Sequence, residues 1–364
     1  MRQTESALVD GEEYVRRGRS RIVIAFAIGV TLAICVAEVT LRAFVSPTAL
    51  LDPASDAYWR AHFATTPDLA PDIEYDAQLG WRMRRDFHGD GVTHDADGHR
   101  VTPDAAAIDA SKRPVVFLGD SFTYGLGVRD DETYAAKFAE SLRDRTVVNL
   151  AANGHGLDQQ VLAFETEGVT HNPALVVVGY FVDDFRRNGL TFREAQKPCF
   201  QLKNESLSLA GVPVPPPAVV RATIASASGP RSYAWAGLAT LWARLAHSRG
   251  AFASDTDFDR HAQLSAHLLA RLKRSTDAIG AKLLVIVIPH CTYDGYQESR
   301  RIETAIEESC KQLAIWCIPT RAADMEAETA GVRVFGPACH WSPAGHELAA
   351  RLLLAKLDDQ RFER

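Results

Sequence analysis

The sequence predicts an α/β protein: a parallel sheet covered on both faces by helices, preceded by one membrane-crossing helix. Three observations carry this expectation. Unbroken apolar runs alternate with helical patterns, as strands buried on both faces require. The chain has 364 residues, 46% hydrophobic and 24% charged, which suits a folded globular protein with a sizeable core. The stretch IVIAFAIGVTLAICVA, residues 22–37, carries no charge at all.

That stretch sets the N-terminal organisation. Continued through Glu38 and Arg42 to Val45, it is long enough to cross a bilayer. Glu38 and Arg42 are four apart and share a helix face near one end, where they can pair or reach the headgroups. Arg16, Arg17, Arg19 and Arg21 stand just before the run. Positive charge stays on the cytoplasmic side. The reading is a cytoplasmic segment 1–21, a single-pass anchor 22–45, and a body outside the cytoplasm, periplasmic or extracellular. A cleaved signal peptide fits less well, because the segment ahead of the run is long and no small-x-small site follows. An Arg cluster abutting the run disfavours a buried core helix.

Residues 46–110 are rich in Pro, Asp and Ala and read as a linker followed by an irregular lead-in. The body, 111–358, then opens on VVFLG, a strand over 115–119. Residues 131–143 follow a helical pattern, 146–150 a strand, 157–168 a helix and 174–181 a strand. Residues 186–256 break the alternation and include VPVPPP; they read as an insertion or lid beside the site. A long helix over 257–278 precedes strand KLLVIVIP, helix RIETAIEESCKQLA and strand IWCIP. Ser342-Pro343 opens the last helix, with serine at the N-cap and proline in the first turn.

Composition excludes some partners and leaves the cysteines open. The formal net charge is -6, so no basic face for nucleic acid is implied. Five cysteines follow the anchor: Cys199, Cys291, Cys310, Cys317 and Cys339. Outside the cytoplasm some can pair, and an odd number leaves one over. His290-Cys291 and Cys339-His340 match no zinc spacing, so a disulfide or plain packing is preferred to a metal. No cofactor is implied.

Chemistry concentrates at GDSFTYG, where the first body strand ends in Gly119-Asp120-Ser121. Ser121 either caps the next helix or is presented at the carboxyl end of the strand, where open α/β sheets place their sites. A serine alone is a poor nucleophile and needs a base and an oxyanion hole. The GxSxG elbow is excluded, because residue 123 is Thr. Asp120 reads as fixing the turn through local hydrogen bonds.

GDSFTYG after an apolar strand resembles the first block of the SGNH/GDSL hydrolases. VVNLAANGHGLDQQ is similar to the second block, with Gly154 at its glycine. VVVGYFVDDF is similar to the third, and CHWSPAGHELAA to the last, with His340 at its histidine. The four lie in the family's order. The resemblance implies a flavodoxin-like three-layer α/β/α fold and ester hydrolysis or acyl transfer. It implies that Ser121 is the nucleophile and His340 the general base, with the N–H groups of Ser121 and Gly154 as oxyanion donors.

Two positions depart from the pattern. The third block's usual Asn is Asp183, followed by Asp184. An amide donates to an oxyanion; a carboxylate cannot, unless it is protonated. Asp183 is therefore protonated, turned away, or absent from a two-donor hole; the Asn153 amide is a substitute donor. The positions before the histidine that usually hold an Asp are Ala338 and Pro337. A backbone carbonyl can orient the imidazole instead, giving a Ser121–His340 dyad, or a remote carboxylate such as Asp183 or Asp184 can serve. His346 reads as structural. His155 and His290 read as packing residues that can line the pocket, and Trp341 as a pocket wall or a packing residue.

The function expected is a membrane-anchored serine esterase or deacylase, held to the membrane through residues 22–45. Its substrate would be an ester, of the O-acetyl kind, on an envelope glycan or lipid. The alternatives are a glycan O-acyltransferase on the same fold, or a catalytically degenerate binding or assembly protein.

Overall fold

A computed structural model of the chain describes residues 2–66, 68–102, 111–142, 145–224, 231–246, 255–293 and 298–362. Helix α1 runs unbroken from Arg2 to Phe44. Its portion Arg21–Phe44, 24 residues whose most apolar 18-residue stretch has a mean hydropathy of 2.6, is long and apolar enough to cross a membrane, and its side chains other than Glu38 and Leu41 are exposed. Within it, Arg42 Nε and Glu38 Oε1 pair at 2.6 Å, four residues apart as expected.

The lead-in is more regular than its composition suggests. Helix α2 spans Asp56–Thr65, capped by Ser55, whose hydroxyl accepts from the Tyr58 N–H at 3.2 Å. Strands β1 (Ile73–Asp76) and β2 (Gly80–Met83) form an antiparallel hairpin. The short strands β3 (His88–Gly89) and β4 (Val92–Thr93) pair next. Phe63, Ile73, Trp81 and Met83 are buried with Tyr124, Ala151 and Phe192 in a small core of their own. The segment 103–110 of the expected lead-in lies outside the described residues.

The body follows the expected alternation. In order come β5 (Val115–Gly119), α3 (Ser121–Tyr124), α4 (Tyr134–Leu142), β6 (Val147–Asn149), α5 (Leu157–Thr166), β7 (Leu175–Phe181) and α6 (Asp184–Arg187). A hairpin of β8 (Cys199–Lys203) and β9 (Ser206–Ala210) follows. Helices α7 (Pro217–Ile224) and α8 (Tyr233–Ala246) lead to the long α9 (Asp255–Ala278). The chain ends with β10 (Lys282–Ile288), α10 (Glu298–Gln312), β11 (Trp316–Pro319), α11 (Arg321–Thr329) and α12 (Pro343–Asp359). Residues 225–230 and 247–254 of the expected insertion lie outside the described residues.

Strands β5, β6, β7, β10 and β11 form one sheet in the order β11-β10-β7-β5-β6, and every pairing is parallel. Taken as first to fifth, the order is 2-1-3-4-5, the doubly wound flavodoxin-like arrangement. The central strands are apolar throughout because both faces are covered: β5 and β7 have no exposed residue. Helix α4 packs against α12, while α9 packs against both α5 and α10. The order reverses between β5 and β7, so the crevice for a ligand opens at their carboxyl ends. Ser121 follows β5 directly, and Asp183 follows β7.

Candidate active site

The strand ends are shaped by a glycine pair. Gly119 and Gly179 are register partners at the ends of β5 and β7. A Cβ on Gly119 would lie 2.1 Å from Thr123 Oγ1, and one on Gly179 would lie 2.0 Å from the same atom. The two bare α-carbons make room for Thr123, which seats α3 on the sheet edge. Asp120 caps that helix, its Oδ1 accepting from the Phe122 N–H at 2.9 Å. Ser121 is therefore the first residue of a short helix clamped at the end of β5.

His340 comes to it from 219 residues away: Nε2 lies 2.8 Å from Ser121 Oγ. The backbone carbonyl of Ala338, two residues earlier, also acts on the ring and favours its protonated form. Ala338 and Cys339 both adopt left-handed backbone, φ 57 and 65. This turn folds the Ala338 carbonyl back toward the imidazole. The Phe122 ring lies against the imidazole at 5.1 Å between centroids. Beyond His340, the Ser342 N–H donates to Val334 O at 2.8 Å, and Ser342 caps α12. Burial lowers the His340 pKa below the ordinary imidazole value, so the ring is neutral and basic at neutral pH.

A disulfide joins Cys339, beside the histidine, to Cys291, just past the end of β10. It ties the His340 turn to the sheet. Donor atoms of His290, Cys291 and Cys339 lie within 4.8 Å of one another, but two of those thiols are consumed by the disulfide. A second group, His99, Glu167 and His171, lies beyond the far end of α5. There His99 Nε2 and Glu167 Oε1 meet at 2.5 Å, whereas two ligands of one zinc stand about 2.9 Å or more apart. That contact is a hydrogen bond.

Gly154 has φ 76, a conformation that favours glycine, and lies against the side chains of Glu194 and Arg193. Among the described residues no acceptor is bonded to the N–H of Ser121 or Gly154. Asn153 also lines this cleft, and one N–H of its Nδ2 donates to Asp72 Oδ2 at 3.2 Å. Ser121, Gly154, Asp183 and His340 line one cleft of about 340 Å³, together with Arg187 and Arg193. A larger cleft of about 600 Å³, near Asp56, Arg186 and His261, contains neither Ser121 nor His340.

The carboxylates of the third block are organised by Arg187, which the sequence reading missed. Its Nη1 donates to Asp120 Oδ2 at 2.6 Å and to Asp184 Oδ1 at 2.9 Å. Its Nη2 faces Asp183 Oδ2 at 3.9 Å. Asp184 also accepts from Gln160 Nε2 at 3.0 Å. Burial, then the nearby Asp120 charge, raises the Asp184 pKa well above the usual carboxylate range, and Arg187 opposes the rise. Asp183 is 42% exposed at the cleft and, as a carboxylate, offers no donor. Among the described residues, neither Asp183 nor Asp184 is hydrogen-bonded to His340. The sequence signal for Arg187 was its spacing, three and four residues after the two aspartates on one helix.

His346 and His155 are packed in the interior. His346 is buried, accepts from the Tyr134 N–H at 3.2 Å, and its pKa is pushed down to about 3 by burial. His155 is buried, its Nε2 bonded to Trp81 O at 3.1 Å. His290 lines the cleft. Trp341 packs edge-on against Phe122 and Tyr134.

Residues 117–348 match the model of the GDSL-like Lipase/Acylhydrolase family. Among solved structures, the psychrotrophic esterase EstA from Pseudoalteromonas sp. is similar, at 9% identity and a TM-score of 0.42 over 69% of this chain and 100% of that one. An acetyl xylan esterase from Geobacillus stearothermophilus is similar at 13% identity and a TM-score of 0.42, over 69% of this chain and 96% of that one. A two-domain esterase active on acetylated mannans gives 12% identity and a TM-score of 0.42, over 69% of this chain and 50% of that one. No curated protein matches the chain.

Proposed function

Since the chain belongs to the GDSL-like lipase/acylhydrolase family, whose members are ester hydrolases, we propose that it is a membrane-anchored serine esterase working through a Ser121–His340 dyad. The observation that carries this reading is the 2.8 Å contact between Ser121 Oγ and His340 Nε2. Ser121 Oγ attacks the ester carbonyl as His340 Nε2 takes its proton. The N–H groups of Ser121 and Gly154 bind the developing oxyanion. His340 then protonates the leaving alkoxide, and water repeats the cycle on the acyl-enzyme.

The Ala338 carbonyl holds Nδ1–H in the required tautomer. It carries no full charge, so it stabilises the imidazolium less than a carboxylate would. Replacing a triad carboxylate can cost about 10⁴-fold in rate, and a slow turnover is expected. Arg187, itself neutralised, holds the two buried carboxylates beside Ser121 in place.

The substrate proposed is an O-acyl ester, of the O-acetyl kind, on an envelope glycan or lipid. Residues 1–21 would lie in the cytoplasm, 22–45 would cross the membrane and 111–358 would work outside it, with 186–256 as an insertion beside the cleft. The Arg-rich flank of α1 and the Cys291–Cys339 disulfide both support that placement. Hydrolysis of p-nitrophenyl acetate and release of acetate from acetylated polysaccharide by the full chain test it. Turnover lost in both Ser121→Ala and His340→Ala is expected; turnover that survives Ser121→Ala would overturn it.

A further inference from the structure

Helix α8 is uncharged from Tyr233 through Ala243, with the sequence YAWAGLATLWA. One side of it is covered. Gly237 faces Leu41 of α1 and Leu50, and a Cβ there would lie 3.8 Å from each side chain. Thr240 Oγ1 donates to Leu50 O at 2.9 Å. The Arg42 guanidinium sits 4.8 Å from the centre of the Tyr233 ring. The other side is open: Trp235, Leu238, Leu241 and Trp242 are 72%, 61%, 54% and 74% exposed. Positions 235, 238 and 242 share one helical face. A contiguous exposed patch of this kind marks an interaction site.

What fixes its occupant is Glu38. The acid sits inside the apolar portion of α1, where an ionised group must be paired. Its carboxylate accepts from Ser232 Oγ at 2.9 Å, from the Tyr233 N–H at 3.0 Å and from the Ala234 N–H at 2.9 Å. It therefore caps α8, and Arg42 completes its shell at 2.6 Å. Counted from Ile22, about 20 residues span the hydrocarbon and end near Leu41. Glu38 is thus about one turn inside the far boundary, and the start of α8 is held at that depth. Tryptophan favours this level of a bilayer.

We propose that α8 is an interfacial helix, seated with Trp235, Leu238, Leu241 and Trp242 in the acyl-chain and headgroup boundary of the phospholipid leaflet at the C-terminal end of α1. The inference rests on α1 being a membrane anchor. It makes Glu38 a joint between two membrane elements, and it seats the body against the bilayer instead of leaving it on a free tether.

The test uses the full chain in phosphatidylcholine vesicles whose acyl chains carry bromine, a contact quencher of tryptophan. The chain has six tryptophans, and only Trp235 and Trp242 are exposed large apolar residues among them. Quenching by up to about a third of total emission is expected. It should vanish in Trp235→Phe/Trp242→Phe and fall by about half in each single variant, while all proteins still float with the vesicles after carbonate washing. Flotation without quenching in the wild type would overturn the role of α8 and leave the anchor standing. Undiminished quenching in the double variant would overturn it too. A photo-crosslinker at position 238 that captures a second copy of the chain, or another protein, in place of lipid would do the same. Failure to float would remove the anchor reading, and with it this one.

Discussion

Removing the Arg187 guanidinium isolates the electrostatic joint under the site. In Arg187→Leu, Asp120 and Asp184, whose side chains are 0% exposed, lose the cation they share. Breaking a buried pair by removing one partner costs about 3–5 kcal/mol, because the remaining charge stays buried and uncompensated. For a domain of this size that corresponds to a Tm lower by roughly 6–20 °C. The loss depends on pH in a defined direction. The Asp184 pKa is already raised by burial, and removing Arg187 raises it further. A carboxyl whose folded pKa lies above its unfolded value of about 3.9 favours the fold at low pH, and that contribution is lost as pH rises through the folded value. The gap between wild type and variant should therefore be small near pH 5 and wide near pH 8. Thermal unfolding of the full chain in detergent, followed by circular dichroism at both pH values, measures it. A Tm within about 2 °C of wild type at pH 8, or an equal loss at both pH values, would refute the reasoning.

Asp183→Asn exchanges a carboxylate at the cleft for an amide donor, and kcat/KM for p-nitrophenyl acetate should rise several-fold; a fall would show that the charge is used. Because burial lowers the His340 pKa, the acid limb of kcat/KM should lie below the ordinary imidazole value of about 6.5, which a pH–rate profile reads directly. Cys291 and Cys339 close a loop with a sequence separation of 48, so their disulfide should contribute about 4 kcal/mol by chain entropy. Reduction by dithiothreitol, or Cys291→Ser/Cys339→Ser, should lower both Tm and kcat, and unchanged kcat would show that the turn holds His340 without it.

The sheet was legible because its strands have no polar face. VVFLG and LVVVGYF are buried at every position, and continuous apolar runs read directly as central parallel strands. Ser121 and His340 were legible as motif residues, and the fold brings them into contact. The orienter of His340 was left open between a backbone carbonyl and a remote carboxylate; the left-handed backbone at Ala338 and Cys339 was not legible, because those residue types carry no turn signal. The hairpin at 73–83 was hidden because each strand has four residues, too few for alternation to stand out from a Pro- and Asp-rich background. Arg187 fell at the start of the stretch read as an insertion or lid; only the packing of β5 against β7 puts Asp120 beside it. Which cysteines pair follows from the same packing, since β10 and the His340 turn meet only in the folded chain.

The most direct test of the central claim is fluorophosphonate labelling of the folded full chain in detergent. Covalent label on wild type, absent in Ser121→Ala and at least about 10³-fold slower in His340→Ala, is the result expected of a serine activated by that histidine. A folded wild-type chain that takes no label, or a Ser121→Ala variant that labels equally, would contradict it.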